Sequence, residues 1–535
     1  MAHVDGKLQV GTGSFDSAGR PWWQTEIERR TEFAEAMGGE DKVQRQHEDG
    51  RLTARERIAA LVDEGSWHEI GMFTGKAEYD DEHRLVHVTP SNVITGLGKI
   101  AGRTVCVVAE DYTVRGGSSE STSPDKWQYA ERLALTYRVP VIRLVEMAGG
   151  SINLLEQMSS TKIPGYPHWP FVEMLGKIPV IGVALGAAAG LGAVRVCSSH
   201  FSIMTAGKSW IFAGGPPVVK AGVGEDLTKE ELGGSRIHAR GSGVADNEAE
   251  DEIDALAQVK RFLSYMPSSV WELPVPEPSD DPADRAEEAL ATIIPPGKRQ
   301  TYDMRSLLGM VFDRDSIFEI GRYNGRSIVT AFAKLDGYPV AVMANDPMQL
   351  GGALTAEASE KMVRFVELAD TFHVPVVNFV DQPGTLVGSA AEKKGTVRKG
   401  IRAAMAVEQT TVPWMSIFIR RSFGLAGSSY APMTSGALNW RYAWPSAYWG
   451  SIPVEGGVEA AYSRDIAASA DPAARRNELV SKFQHLENPF LTAERFAVQD
   501  IIDPRTTRPI LCEWIRLAYR LLPEHVGVHG RTMRC

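Results

Sequence analysis

The sequence predicts an α/β fold built from two similar halves in tandem. Three observations predict it: an internal repeat, short apolar runs set between helical stretches, and a proline-rich segment between the copies. Residues 98–117 (GKIAGRTVCVVAEDYTVRGG) resemble residues 333–352 (AKLDGYPVAVMANDPMQLGG), an offset of 235. The same offset aligns Asp111 with Asp346, Lys126 with Lys361, and residues 139–150 with 374–385. A fourth pair, beginning at Ile178 and Val412, needs 234. Generic strand–helix similarity rarely supplies four matches in order at almost one offset, so the chain reads as an internal duplication.

The elements follow in order. Residues 22–64 are charged and read as a helical preface. In each copy two valine-rich strands then run into a Gly-Gly loop, Gly116-Gly117 or Gly351-Gly352. Helices are predicted over 125–137 and 357–372. Buried strands follow, VPVIRLVE and VPVVNFVD, whose unbroken apolar character suits strands covered on both faces. A second helix leads to a short apolar strand and the turn Gly190-Leu191-Gly192 or Gly424-Leu425-Ala426. Residues 178–196 have the length of a membrane span, but Pro179, Arg195 and internal glycines favour a buried strand, a turn and a small-residue helix. A chain of 535 residues exceeds one ordinary core. The expected division is an N-terminal domain over 1–270, a proline-rich linker over 271–300 and a C-terminal domain over 301–535.

The formal net charge of −10, from 57 Lys+Arg against 67 Asp+Glu, argues against a general nucleic-acid binder. A small anionic ligand is still allowed, because a few local cations or amides suffice. Cys106, Cys197, Cys512 and Cys535 show neither metal-site nor disulfide spacing, so no metal is expected. No basic-then-apolar leader opens the chain, which makes a cytoplasmic setting without a membrane partner the expectation.

Familiar catalytic motifs are missing: there is no H-E-x-x-H, no Walker A loop and no G-x-S-x-G. Glycine recurs instead where buried strands end: Gly116-Gly117, Gly149-Gly150, Gly351-Gly352, Gly384 and Gly424. Turns without large side chains leave backbone N–H groups accessible, which is the material of an oxyanion hole. The same glycines also serve tight turns and close packing, and the residues alone leave both readings open.

Longer motifs carry a resemblance. RLTARERIAALVDEGSWHEIG (51–71), GEDLTKEELGG (224–234), SGVAD (242–246), YDMRSLLGMVFDRDSIFEI (302–320), ANDPMQLGGALT, FVDQPG, RRSFGLAG and ERFAVQDIIDPRTTRPIL (494–511) resemble, in order, the carboxyltransferase (β) subunits of biotin-dependent acyl-CoA carboxylases. The resemblance implies two tandem crotonase-like (ClpP/crotonase) β-β-α superhelical domains. It implies transfer of CO2 from carboxybiotin, carried on a partner protein, to an acyl-CoA, with both partners passing through oxyanions. The catalytic amides then fall on Gly149 and Gly150 for the acyl-CoA side and on Leu425 and Ala426 for the biotin side. Arg115, Gly116, Gly117, Ser118 and Ala148 are the implied acyl-CoA contacts, and Gly384, Thr385, Gly424 and Ser428 surround the implied biotin site.

Implied partners are a biotin carboxylase/carrier subunit and further copies of the chain, as a hexamer (trimer of dimers) with sites shared between subunits. The chain departs from the family at Met147-Ala148-Gly149-Gly150-Ser151, where S-G-G-A-R is usual, at Thr385, and at Gly424 to Ser428, where G-G-A-Y-D is usual. These departures bear on the acyl group and on activity. They keep open a decarboxylase or transcarboxylase subunit and a non-catalytic acyl-CoA-binding paralogue.

Overall fold

The computed structural model describes residues 19–161, 163, 165–433 and 439–530. The chain forms two compact units that adjoin in sequence between Arg261 and Phe262. The first contains β1 (His68–Ile70), β2 (Gly75–Tyr79), β3 (Leu85–Pro90), β4 (Val93–Ile100), β5 (Arg103–Glu110), β6 (Val141–Met147), β7 (Val180–Ala189), β8 (Phe201–Thr205), β9 (Trp210–Phe212) and β10 (Asn247–Ala249). Its main sheet runs β1-β4-β5-β6-β7-β8-β10, with β9 beside β7 and β2–β3 as a separate hairpin.

The second unit contains β11 (Phe318–Glu319), β12 (Ile328–Leu335), β13 (Tyr338–Asn345), β14 (Val376–Gln382), β15 (Trp414–Phe423), β16 (Trp440–Ala443), β17 (Tyr448–Gly450) and β18 (Asp500–Ile501). The order is β11-β12-β13-β14-β15-β16-β18, with β17 beside β15. In each sheet the first two pairings are antiparallel and the rest parallel. The duplication is therefore one of topology as well as of sequence.

Parallel neighbours need a crossover, and amphipathic helices supply it. Helix Pro124–Tyr137 joins β5 to β6 and buries Trp127, Ala130, Glu131 and Ala134, which lie on one face at helical spacing. Helix Ala356–Thr371 does the same between β13 and β14 through Ser359, Met362, Val363, Val366 and Ala369. β6 and β14 are buried at every residue, as their unbroken apolar character requires. Each sheet also carries the same irregularity: the register slips between Val145 and Met147 in one and between Val380 and Gln382 in the other. A bulge at a strand end re-aims the chain that follows it, and here that chain is the turn proposed to carry chemistry.

The duplication begins earlier than the 235-residue alignment shows. Helix Ala54–Leu61 with β1 matches helix Met304–Val311 with β11 at an offset of 250, pairing Arg55 with Arg305 and Glu69 with Glu319. Both pairs form ion pairs, at 2.8 and 2.6 Å. Asp63 accepts from the N–H groups of Ala101 and Gly102, and its counterpart Asp313 accepts from those of Asp336 and Gly337. The offset drops from 250 to 235 because the β2–β3 hairpin is present in the first unit and has no counterpart in the second.

The charged preface is three helices, Trp22–Glu35, Glu40–Glu48 and Ala54–Leu61. Residues 178–196 form β7 and helix Leu191–Cys197, a strand and a small-residue helix as expected. No helix among the described residues is long and apolar enough to cross a membrane. The proline-rich stretch carries one short turn, Glu288–Ala291, and binds to the second unit. Leu290 is buried in that unit's core, and Arg285 donates to the carbonyls of Met310 and Phe312.

Candidate functional site

In the first unit the chain leaves β5 and enters a tight turn over Arg115–Gly117. Arg115 sits at φ 53, and its repeat partner Leu350 at φ 49, left-handed values that a side chain rarely adopts. Strain kept at one place in both copies marks that place as one where the backbone direction matters. Gly117 must be glycine: a Cβ there would lie 2.7 Å from the carbonyl oxygen of Glu146, at the end of β6. The Gly-Gly loop is thus pressed against the strand that leads into Ala148, Gly149 and Gly150.

Hydrogen bonds tie the two turns together. Ala148 N–H donates to Gly116 O at 3.3 Å, and Ser119 N–H to Gly149 O at 3.0 Å. Ser151 N–H donates to Ser119 Oγ, and Ser151 Oγ–H to Glu120 Oε1 at 2.5 Å, which also receives the Asn153 amide at 3.1 Å. The bond from Ser151, followed by that from Asn153, holds the Glu120 carboxyl below its ordinary value. Gly150 N–H has no protein acceptor among the described residues, whereas the Ala148 amide is committed. Ser118 Oγ is buried and has no partner among them either. Arg115, Gly116, Gly117, Ser118, Ala148, Gly149 and Gly150 are therefore neighbours in one place.

The second unit repeats the arrangement with different side chains. Leu354 N–H donates to Gly384 O at 3.0 Å, and Leu386 N–H to Leu354 O at 2.9 Å, so Thr385 is pinned from both sides by backbone. Gly384 N–H is held by Gln382 Oε1. β15 ends at Gly424, φ 62, and the short helix Gly424–Ser428 begins. The first amides of a helix have no partner within it, so Leu425 and Ala426 present their N–H groups at this turn. Ala426 is buried beside a narrow cavity of about 20 Å³ shared with Gln382, Asn378 and Ser429. The Leu425 side chain is half exposed, and Ser428 Oγ donates to Leu425 O at 2.7 Å. Gly384 lies next to this turn: a Cβ on it would be 3.8 Å from Phe423 O.

Two groups behind this half-site escape sequence reasoning. Arg421 binds Asp381 at 2.6 Å and Gly351 O at 2.9 Å, fixing the Gly-Gly loop of the second copy to β15. Tyr302 donates to the same Asp381 at 2.8 Å, and burial together with that carboxylate raises its phenol far above the ordinary value.

The first unit also has a cleft of about 590 Å³, between the preface helices, the β2–β3 hairpin and the Arg115–Gly116 turn. Its lining includes Lys42, Arg45, Arg115, His87 and Tyr112. The cations suit an anionic ligand, and the volume suits a cofactor-sized one. Only Arg115 was legible in advance, because the other residues come from separate segments with no motif of their own. No cluster of His, Cys, Asp or Glu among the described residues has the arrangement of a metal site.

Comparison with known proteins gives this geometry a family. The carboxyl transferase domain model matches residues 45–522. The propionyl-CoA carboxylase carboxyltransferase subunit of Haloferax mediterranei is 35% identical over 494 residues, 92% of this chain and 95% of that protein. The methylmalonyl-CoA decarboxylase subunit alpha of Veillonella parvula is 33% identical over 479 residues, 89% of this chain and 91% of that one. The crystal structure of the transcarboxylase 12S hexamer, with methylmalonyl-coenzyme A and methylmalonic acid bound, superposes with a TM-score of 0.84. It is 31% identical and covers 98% of this chain and 99% of that one.

The chain belongs to the carboxyl transferase domain family, and its two units have the crotonase-like α/β architecture. Within that family it is an acyl-CoA carboxyltransferase of the biotin-dependent carboxylase kind.

Proposed function

We propose that the first unit binds an acyl-CoA and the second receives biotin, each unit offering backbone amides to an oxyanion. Biotin, on its carrier, supplies the carboxyl group. Gly149 and Gly150 stabilise the negative oxygen that forms when the thioester loses its α-proton, and Leu425 and Ala426 offer the equivalent donors on the biotin side. The observation that carries this reading is the repetition of one bulge-and-turn device in both sheets, at Val145–Met147 and Val380–Gln382, each followed by a glycine-lined turn.

Two features favour acyl-CoA on the first side: the cation-lined cleft beside Arg115, and the buried, unpartnered hydroxyl of Ser118. The cradle at Gly384 and Gly424 fits biotin's flat ureido ring. A Cβ at either glycine would approach only backbone oxygens, those of Phe423 and Ser451, at 3.8 and 3.6 Å. The chain then works with a biotin carboxylase/carrier partner, as a hexamer, in the cytoplasm. The three described cysteines, Cys106, Cys197 and Cys512, are free thiols, which agrees with a reducing compartment.

The test mixes the protein with a biotin carboxylase–carrier pair, ATP and bicarbonate, and screens acyl-CoAs beginning with propionyl-CoA for carboxylated product. Product from at least one acyl-CoA is expected. A charged carrier and no product from any acyl-CoA would sink the proposal. The decarboxylase and transcarboxylase relatives support running the same chemistry in reverse, which a methylmalonyl-CoA decarboxylation assay detects.

A further inference from the structure

The two copies hold their turns differently, and the difference singles out one residue. In the second unit both flanks of Thr385 are pinned by the backbone of Leu354. The first unit keeps one of these bonds, Ser119 N–H to Gly149 O. The other is gone: Ser151 N–H, the counterpart of Leu386 N–H, goes to a side chain, Ser119 Oγ. A hydroxyl on a rotatable bond is a softer anchor than a carbonyl in the main chain. The first turn is then closed by side chains alone, and they converge on Glu120. Its Oε1 accepts from Ser151 Oγ at 2.5 Å and from Asn153 Nδ2 at 3.1 Å, two bonds to residues on either side of the first residue of helix Ile152–Met158.

We propose that Glu120 is a positioning residue: through Ser151 and Asn153 its carboxylate holds the Gly149–Gly150 turn in the orientation that aims its amides at the acyl-CoA carbonyl. The proposal rests on the assignment of that turn to acyl-CoA given above. An exposed carboxylate bonded to one flexible partner would contribute little. Glu120 differs because both its donors belong to the segment that leaves the turn, so its bonds oppose rotation of that segment as a whole. Hydrogen bonds to a charged acceptor are also shorter and stronger than neutral ones. The role needs an acceptor oxygen at this place and does not need the negative charge, so glutamine substitutes for it and alanine does not.

The experiment compares Glu120→Ala, Glu120→Gln and Ser151→Ala with the parent protein in two readouts. The first is amide hydrogen exchange of the peptide spanning residues 147–153 in the free enzyme. The second is steady-state transfer to propionyl-CoA with the biotin carboxylase–carrier pair. In Glu120→Ala, exchange is expected to accelerate and kcat to fall by about 10- to 100-fold. KM for acyl-CoA is expected to stay within about twofold. Ser151→Ala follows it, and Glu120→Gln stays near the parent in both readouts.

Unchanged exchange in both alanine variants would overturn the positioning role whatever the activity. Faster exchange with unchanged kcat would remove the Gly149–Gly150 turn from catalysis, and the reading beneath the proposal would fall with it. A Glu120→Gln variant as impaired as Glu120→Ala would mean that the charge matters, which also overturns the role as stated.

Discussion

Glu146 and Asp381 hold the same position in the two copies, yet each is neutralised from a different part of the chain. Glu146 pairs with Arg51 at 2.8 Å and Arg57 at 2.6 Å, both from the N-terminal preface. Asp381 pairs with Arg421 of β15 and accepts from Tyr302. Ala187 stands where the second copy has Arg421, so the first copy has no cation of its own strand to offer. Both carboxylates are fully buried, where an ion without a partner is costly.

Removing the carboxylate at Asp381 should therefore do more harm than removing one of its donors. Asp381→Asn leaves Arg421 buried without its counter-ion and is expected to cost about 3–5 kcal/mol in the second unit. Tyr302→Phe leaves the ion pair intact and should cost about 1.5–3 kcal/mol. Urea denaturation of the single variants and the double variant measures both. Equal costs would show that Arg421 does not depend on Asp381.

Lys361 offers a pH test. It is buried with its Nζ donating to the carbonyls of Gly321 and Asn324, and burial pushes its pKa down to about 7. Unfolding restores the ordinary value of 10.5, so between these values the unfolded chain binds the extra proton. Stability then rises with pH across that window, by at most about 1.4 kcal/mol per unit, and this contribution is absent below pH 7. Lys361→Met is expected to remove the slope. Parallel denaturation curves for parent and variant between pH 7 and 9 would exclude it.

At the proposed donors the expected effect is on rate. Gly149 lies at φ 90 and a Cβ there would sit 3.2 Å from Ala189 O, so Gly149→Val forces the turn to shift. Ala426→Val does the same in the second half-site. Each is expected to raise the barrier by about 3 kcal/mol, roughly a hundredfold in kcat, with folding retained by circular dichroism. Full activity in both variants would mean that the donors lie elsewhere.

The cleft makes a separate prediction. If it receives the phosphates of acyl-CoA, Lys42→Ala and Arg45→Ala should each raise KM by about fivefold, leave kcat near the parent value, and weaken the salt dependence of KM. Titrating acyl-CoA at two ionic strengths decides it. KM unchanged at both ionic strengths would leave the cleft without that role.

The sheets were legible because their signal is local and repeated: valine-rich runs, glycine turns, and one offset that carries β4 onto β12 and β6 onto β14. The match of Arg55, Asp63 and Glu69 with Arg305, Asp313 and Glu319 was missed. Fifteen residues of hairpin shift its offset, and the recurring residues are a few polar ones among changed apolar neighbours. The Gly149 and Leu425 turns were found through family likeness. The Ser119–Glu120–Ser151–Asn153 arrangement was not, because it depends on a loop and a helix start more than thirty residues apart coming into contact. The same holds for Lys42, Arg45 and His87, which become neighbours only when the preface helices and the hairpin meet over the Arg115 turn.

The hairpin over Gly75–Tyr79 and Leu85–Pro90 also bears on how such a chain diversifies. After a duplication, two identical receptors compete for the same guest. Lengthening a single surface loop in one copy breaks that tie without disturbing a strand order that both copies need in order to fold. Grafting or trimming this one module is accordingly a way to retune which guest the first copy admits while the second goes on recognising its own.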